Sequence, residues 1–218
     1  MVMDFAHARD LMVESQVRTS DVTDTRILHA MRTLPRERFA PAQKRNLAYA
    51  DLELEVAPDR CLMRPRELAK LVQALAPQPN ECALEIAGAT GYGAAVLAAC
   101  CASVITLDPD ADLSFAASAA LESVGVGTAK TVSTAAADGW KDEAPYDIIM
   151  LNGAAEFVPD AWLEQLAQGG RLGVIVREGP VGKARIYTRT GDAVSFRIAF
   201  DAFPPVAPGL VKPRTFAF

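Results

Sequence analysis

The sequence predicts an α/β fold, a mostly parallel sheet covered by helices and closed by antiparallel strands near its C-terminus. Three observations carry that expectation. Between residues 82 and 176, short apolar runs alternate with helical segments, the pattern of right-handed crossovers in a parallel sheet. An apolar strand passes through a small-residue turn straight into an apolar helix, from Ala83-Leu84-Glu85-Ile86 through Ala87-Gly88-Ala89-Thr90-Gly91 to Tyr92-Gly93-Ala94-Ala95-Val96-Leu97-Ala98. After residue 177 the rhythm breaks, and Gly179-Pro180-Val181-Gly182 and Thr190-Gly191-Asp192 read as turns between β-rich segments.

Taken in order, residues 5–18 carry apolar side chains at helical spacing. Thr23 or Asp24 can cap a second helix holding Ile27, Leu28, Ala30 and Met31, which Leu34-Pro35 stops. Residues 52–56 alternate apolar and acidic, as a short strand or extended arm does, and Pro65 suits the first turn of a helix running to about Ala76. Strands are expected at 82–86, 104–107, 129–132, 146–151 and 171–176, with helices at 92–101, 110–124 and 159–167 between them. Residues 183–188 and 194–200 should pair antiparallel at the sheet edge, and the proline-rich stretch 203–218 should be extended. The expected division is a helical cap over residues 1–58, part of the same domain as an α/β unit over 59–218, with the cap covering the sheet's ligand edge.

At 218 residues, half of them apolar and 22% charged, the chain can bury one sizeable core. A net charge of -5 without a large basic cluster argues against nucleic acid or an anionic membrane as a partner. No apolar run is long enough to span a bilayer and residues 1–10 lack a basic region followed by an apolar block, so a cytoplasmic protein is expected. Cys61, Cys82, Cys100 and Cys101 lack the paired spacing of a zinc site and are expected as small buried hydrophobes, with no metal. His7 and His29 have no partner at suggestive spacing and are expected at the surface or in caps.

The small-residue turn at 87–91 has the character of a nucleotide-binding turn, in which the backbone takes unusual dihedrals and approaches a ligand while helix-start N–H groups point at it. Asp108 follows about twenty positions on, where a carboxylate could accept from ribose hydroxyls. Its simpler reading, before Pro109, is the N-cap of the next helix. Ala87 and Ala89 stand where glycine would be expected, and a Cβ there should obstruct either a positive φ or close approach. Asn152-Gly153 falls at the ligand edge of an open sheet or is an ordinary turn.

The runs Met12-Val13-Glu14-Ser15-Gln16-Val17-Arg18, Arg26-Ile27-Leu28-His29-Ala30-Met31, Pro35-Arg36-Glu37-Arg38-Phe39 and Ala48-Tyr49-Ala50-Asp51 resemble the N-terminal part of protein-L-isoaspartate O-methyltransferases. Pro145-Tyr146-Asp147-Ile148-Ile149 and Gln165-Leu166 through Gly169-Gly170-Arg171-Leu172 are similar to later landmarks of that family, so the resemblance covers roughly residues 12–177 in unbroken order. It implies a Rossmann-like methyltransferase sheet, S-adenosylmethionine as cofactor, and a protein or peptide substrate bearing an isoaspartyl carboxylate. It further implies that the loop Glu85, Ala87, Gly88, Ala89, Gly91 passes the methionine portion, that Asp108 meets the ribose, and that Asp138-Gly139 lies near the adenine. The family's Ser-Gln-Pro segment, whose serine sits beside the methyl group and the substrate carboxylate, corresponds here to Met63-Arg64-Pro65.

Methyl esterification needs no general base, because a carboxylate is already ionised at neutral pH. It needs alignment and desolvation, and Met63 offers a thioether without a donor, whereas Arg64 or Arg66 could grip a carboxylate bidentately. Met63 also suits core packing, and Arg64 a surface ion pair. Two functions are therefore expected: a methyltransferase acting on a carboxylate with weakened cofactor binding, or a non-catalytic binding or scaffold protein on the same fold.

Overall fold

The protein is described here by a computed structural model covering residues 3–179 and 181–213. In chain order its strands are β1 (Leu54–Ala57), β2 (Arg60–Leu62), β3 (Cys82–Ile86), β4 (Ser103–Asp108), β5 (Ala129–Ser133), β6 (Tyr146–Ala155), β7 (Leu166–Arg177), β8 (Gly182–Thr190) and β9 (Ala193–Ala202). Its α-helices are α1 (Phe5–Met12), α2 (Thr25–Thr33), α3 (Pro65–Leu75), α4 (Tyr92–Ala98), α5 (Ala111–Ser123) and α6 (Asp160–Glu164). β1 and β2 form an antiparallel hairpin, and the other strands form one sheet in the order β5-β4-β3-β6-β7-β8-β9. Pairing is parallel from β5 to β7 and antiparallel for β7–β8 and β8–β9.

Alternation along the central strands divides the core in two. Ala83, Val104, Ile148 and Met150 face one side with α3, α4 and the N-terminal helices, while Leu84, Ile86, Ile105, Leu107, Ile149 and Leu151 face the other with Trp162 of α6 and Leu210 of the tail. A strand's period of two produces this split, and a sheet buried on both sides accounts for the continuous apolar runs. Asp24 caps α2 by accepting from the Arg26 N–H, and Pro65 opens α3.

Several boundaries differ from the sequence expectation for identifiable reasons. The helix expected over 159–167 stops at Glu164, because Leu166 already pairs with Tyr146 in the sheet. The isolated arm expected at 52–56 is half of a hairpin, since Arg60–Leu62 returns against it. The N-terminal helices do not themselves cover the carboxyl edge of the sheet: the π-helical turn Val13–Val17 packs on α3, α1 packs on α2, and α2 packs on α3 and α4. Segment 36–63 supplies the contacts at that edge. Cys61, Cys100 and Cys101 are buried, but Cys82 at the start of β3 is exposed, contrary to the buried role expected of all four. His7 and His29 are exposed. Of the anticipated turn at 179–182, Pro180 lies outside the described residues, as do residues 214–218 of the tail. The described tail is not uniformly extended. It bridges Ala154 through Val206 and then turns, with the Leu210 N–H donating to the Ala207 carbonyl.

Candidate functional site

The chain runs from β3 outward to β4 and β5, then crosses to β6 on the other side of β3, so the strand order reverses between β3 and β6. In open parallel sheets such a reversal leaves a crevice at the carboxyl ends of the strands, the favoured place for a ligand. The turn 87–91, Asp108, the loop after β5 and Asn152-Gly153 all lie at this edge.

Ala87 has φ 58 and Ala89 has φ 51, both left-handed, and Gly91 at φ 86 precedes the first residue of α4. Alanine therefore does not prevent a positive φ here, and the obstruction anticipated at the backbone is present only as strain of about 1–2 kcal/mol per residue. The glycines serve another need. A Cβ on Gly88 would lie 1.9 Å from Thr106 Oγ1 and 2.6 Å from Glu85 Oε2, and one on Gly93 would lie 1.9 Å from Glu85 Oε1. Both make room for Glu85, which is wholly buried and takes a 2.7 Å hydrogen bond from the Thr106 hydroxyl. Burial pushes the Glu85 carboxyl up to about 8, against the Thr106 hydroxyl and the Ala94 N–H, while the nearby Asp108 charge adds to the rise.

Asp108, at the end of β4, is 2% exposed. Its Oδ2 accepts from the Ala89 N–H at 3.0 Å and its Oδ1 from the Asp110 N–H at 3.0 Å. It is not the cap of α5, contrary to the simpler expectation: Asp110 does that, accepting from the Asp112 and Leu113 N–H groups. The remaining partner of Asp108 is Arg60, whose Nη2 donates to Oδ1 at 3.1 Å from a side chain 4% exposed. Arg60 begins β2, so the hairpin reaches across the sheet edge to the acid at the end of β4. Asn152 fastens the same hairpin from β6, donating through Nδ2 to the Cys61 carbonyl at 3.3 Å and the Ala87 carbonyl at 3.2 Å. The strand pairing shifts between Met150 and Ala154, and this irregularity carries Asn152 into the crevice.

Met63 is 1% exposed within the core. Its carbonyl accepts at 2.7 Å from Nη2 of Arg36, a fully buried guanidinium that also donates to the Ala48 carbonyl and lies 4.6 Å from the Tyr92 ring centre. Thr90 in the turn donates to the Phe39 carbonyl at 2.6 Å, so segment 36–63 is stitched to the edge at several points. Arg64 is ion-paired with Glu53 at 2.9 Å and Arg66 with Asp51 at 2.8 Å, and both line a cavity of about 320 Å³ with Glu67, Lys70, Phe200 and Phe203. Asp138 is exposed, with its carbonyl bound by the Gln165 amide at 2.7 Å, and Gly139 is buried where a Cβ would meet that amide. The turn and Asp108 are thus in direct contact, while Asp138 and Arg64 stand apart from them in this hydrogen-bond network.

Arg60 and Arg36 escaped the sequence reading. A hairpin signal was present for Arg60: the alternation at 52–56, then Pro58-Asp59, then the apolar pair Cys61-Leu62. Nothing local to Arg36 announces a buried guanidinium.

A sequence model of the protein-L-isoaspartate(D-aspartate) O-methyltransferase family matches residues 7–199. A protein-L-isoaspartate O-methyltransferase of Methylorubrum populi is 38% identical, with 80% of this chain and 81% of that protein covered. One from Koribacter versatilis is 34% identical over 84% of this chain and 80% of its own length. Among solved structures, a protein-L-isoaspartate O-methyltransferase superposes with TM-score 0.80 at 21% identity, covering 94% of this chain and 66% of that one. A Plasmodium falciparum protein assigned to the same enzyme class, solved in complex with S-adenosyl-L-homocysteine, superposes with TM-score 0.78 at 15% identity over 91% of this chain and 97% of its own. With its strand order, its small-residue turn and the match across nearly its whole length, the chain belongs to the protein-L-isoaspartate(D-aspartate) O-methyltransferase family of S-adenosylmethionine-dependent methyltransferases.

Proposed function

We propose that this protein transfers a methyl group from S-adenosylmethionine to a carboxylate on a protein or peptide, with an isoaspartyl residue as the substrate group. The carrying observation is Asp108, an acid at the end of β4 that orders the turn through the Ala89 N–H at the sheet's point of strand reversal. That acceptor fits the cofactor's ribose: a carboxylate can accept from two hydroxyls beside the Ala89 and Asp110 N–H groups that orient it. The fit requires Arg60 to release Oδ1, which it holds in the conformation described.

When bound, S-adenosylmethionine supplies an electrophilic methyl on a sulfonium. The protein's residues need only bind, orient and exclude water. Segment 36–63, tied to the turn through Thr90 and to β6 through Asn152, excludes water from this edge. Arg64 and Arg66 open onto the cavity beside α3, where a substrate carboxylate would exchange with Glu53 or Asp51 for an arginine.

Burial of Met63 and engagement of Asp108 by Arg60 favour a second reading, a non-catalytic protein on the same fold. Titration calorimetry with S-adenosylhomocysteine, paired with radiolabelled methyl transfer to an isoaspartyl peptide and its aspartyl twin, separates the two. Binding with transfer confined to the isoaspartyl peptide is expected. Binding without transfer to either peptide supports the second reading, and the absence of both binding and transfer overturns the first outright.

A further inference from the structure

We propose that Arg60 is an internal competitor for the cofactor-facing carboxylate: it occupies Asp108 in place of a ligand's hydroxyls, and the β1–β2 hairpin that carries it is a latch that must yield before cofactor binds. This rests on the cofactor reading of Asp108 given above. Three observations support it independently of that reading's chemistry. The Arg60–Asp108 pair is buried on both sides, at 4% and 2% exposure, so it is not a fluctuating surface contact. Arg60 Nη1 is also buried and has no hydrogen-bond partner among the described residues, so there the guanidinium is held by a single bond to the acid and leaves part of its donor capacity unsatisfied. The hairpin is short and is fastened to the turn chiefly by Asn152, which bridges the Cys61 and Ala87 carbonyls.

An arginine so placed is well matched to be displaced. A buried guanidinium with an unfilled donor is poorly satisfied, and released to solvent it regains full hydration. The acid does not lose all support, because the Ala89 and Asp110 N–H groups continue to donate to it. Closed and open hairpins are thus two states, and the ligand binds only the open one, so its apparent affinity falls by the fraction of molecules that are open. One charge-assisted hydrogen bond sets that penalty at about 10- to 100-fold.

The test measures S-adenosylhomocysteine affinity by calorimetry for the full chain and for Arg60→Gln and Arg60→Lys, each checked for folding by circular dichroism. Arg60→Gln should bind about 10- to 100-fold more tightly than wild type, and Arg60→Lys, which keeps a cation on a shorter reach, should fall between. Equal affinities, or weaker binding by Arg60→Gln, overturn the latch and leave the cofactor reading standing. Failure of every folded chain to bind at millimolar ligand overturns the cofactor reading, and the latch with it. Should the variants not fold, wild type alone decides: Arg60, shielded from a dicarbonyl arginine reagent in the free protein, should become modified at saturating S-adenosylhomocysteine, as read by peptide mass spectrometry. Unchanged protection at saturation overturns the proposal.

Discussion

Replacing Glu85 by glutamine should change how stability depends on pH more than it changes stability itself. The wild-type carboxyl is fully buried, and its folded value of about 8 lies well above its ordinary value of 4.5. The folded protein therefore holds a proton that the unfolded chain has released throughout that interval. A group raised in this way contributes its full stability below the unfolded pKa and loses it as pH rises through the folded one, at about 1.4 kcal/mol per pH unit. Between about pH 5 and about pH 8 the loss comes to roughly 3 kcal/mol. Glutamine does not titrate but buries an extra N–H pair, at a cost of about 1–3 kcal/mol. The Glu85→Gln protein should accordingly be less stable than wild type near pH 5 and equal or more stable near pH 8. Urea unfolding at constant ionic strength, run on both proteins across that range, reads the crossing. Glu67, raised to about 7 by burial and by Glu53, is present in both chains and cancels in the difference. Parallel stability curves would refute the reasoning and mean that Glu85 is ionised in the folded protein.

Asn152→Ala removes the donor shared by two carbonyls and should cost about 1–3 kcal/mol, a fall of about 2–4 °C in Tm per kcal/mol. An unchanged Tm by calorimetry would show that the hairpin is not held by Asn152. Met63→Ser deletes a buried thioether and should destabilise by about 2–5 kcal/mol in urea. If the missing serine is what limits catalysis, the same variant should still raise methyl transfer to an isoaspartyl peptide, with cofactor affinity nearly unchanged; lowered transfer by the folded variant counts against that role. Ala87→Gly and Ala89→Gly each relieve about 1–2 kcal/mol of left-handed strain but lose a buried methyl worth about 0.8 kcal/mol and gain about 0.5–1 kcal/mol of backbone entropy cost, so stability should move by less than about 1 kcal/mol. Destabilisation well beyond that in chemical unfolding would show that packing of these methyls dominates.

The sequence by itself determined the architecture, because the information is local. Apolar runs at 82–86 and 104–107, Asp24 before α2 and Pro65 at the start of α3 each report a backbone state through periodicity, capping or a fixed φ, and the structure follows them within a few residues. The turn at 87–91 was legible for the same reason, as small residues between a strand and a helix. What the turn's residues do was not. Alanine at a positive φ, and glycine at 88 and 93 to admit the Glu85 carboxyl, depend on what packs across the sheet from β4. Tertiary structure alone brought Arg60 to Asp108, 48 positions later, and Asn152 to Cys61, 91 positions earlier. Nothing local encodes such pairs. A charged side chain reads as surface in sequence, and only when the hairpin folds over the edge of the sheet does burial remove its water and leave the acid of β4 as its partner.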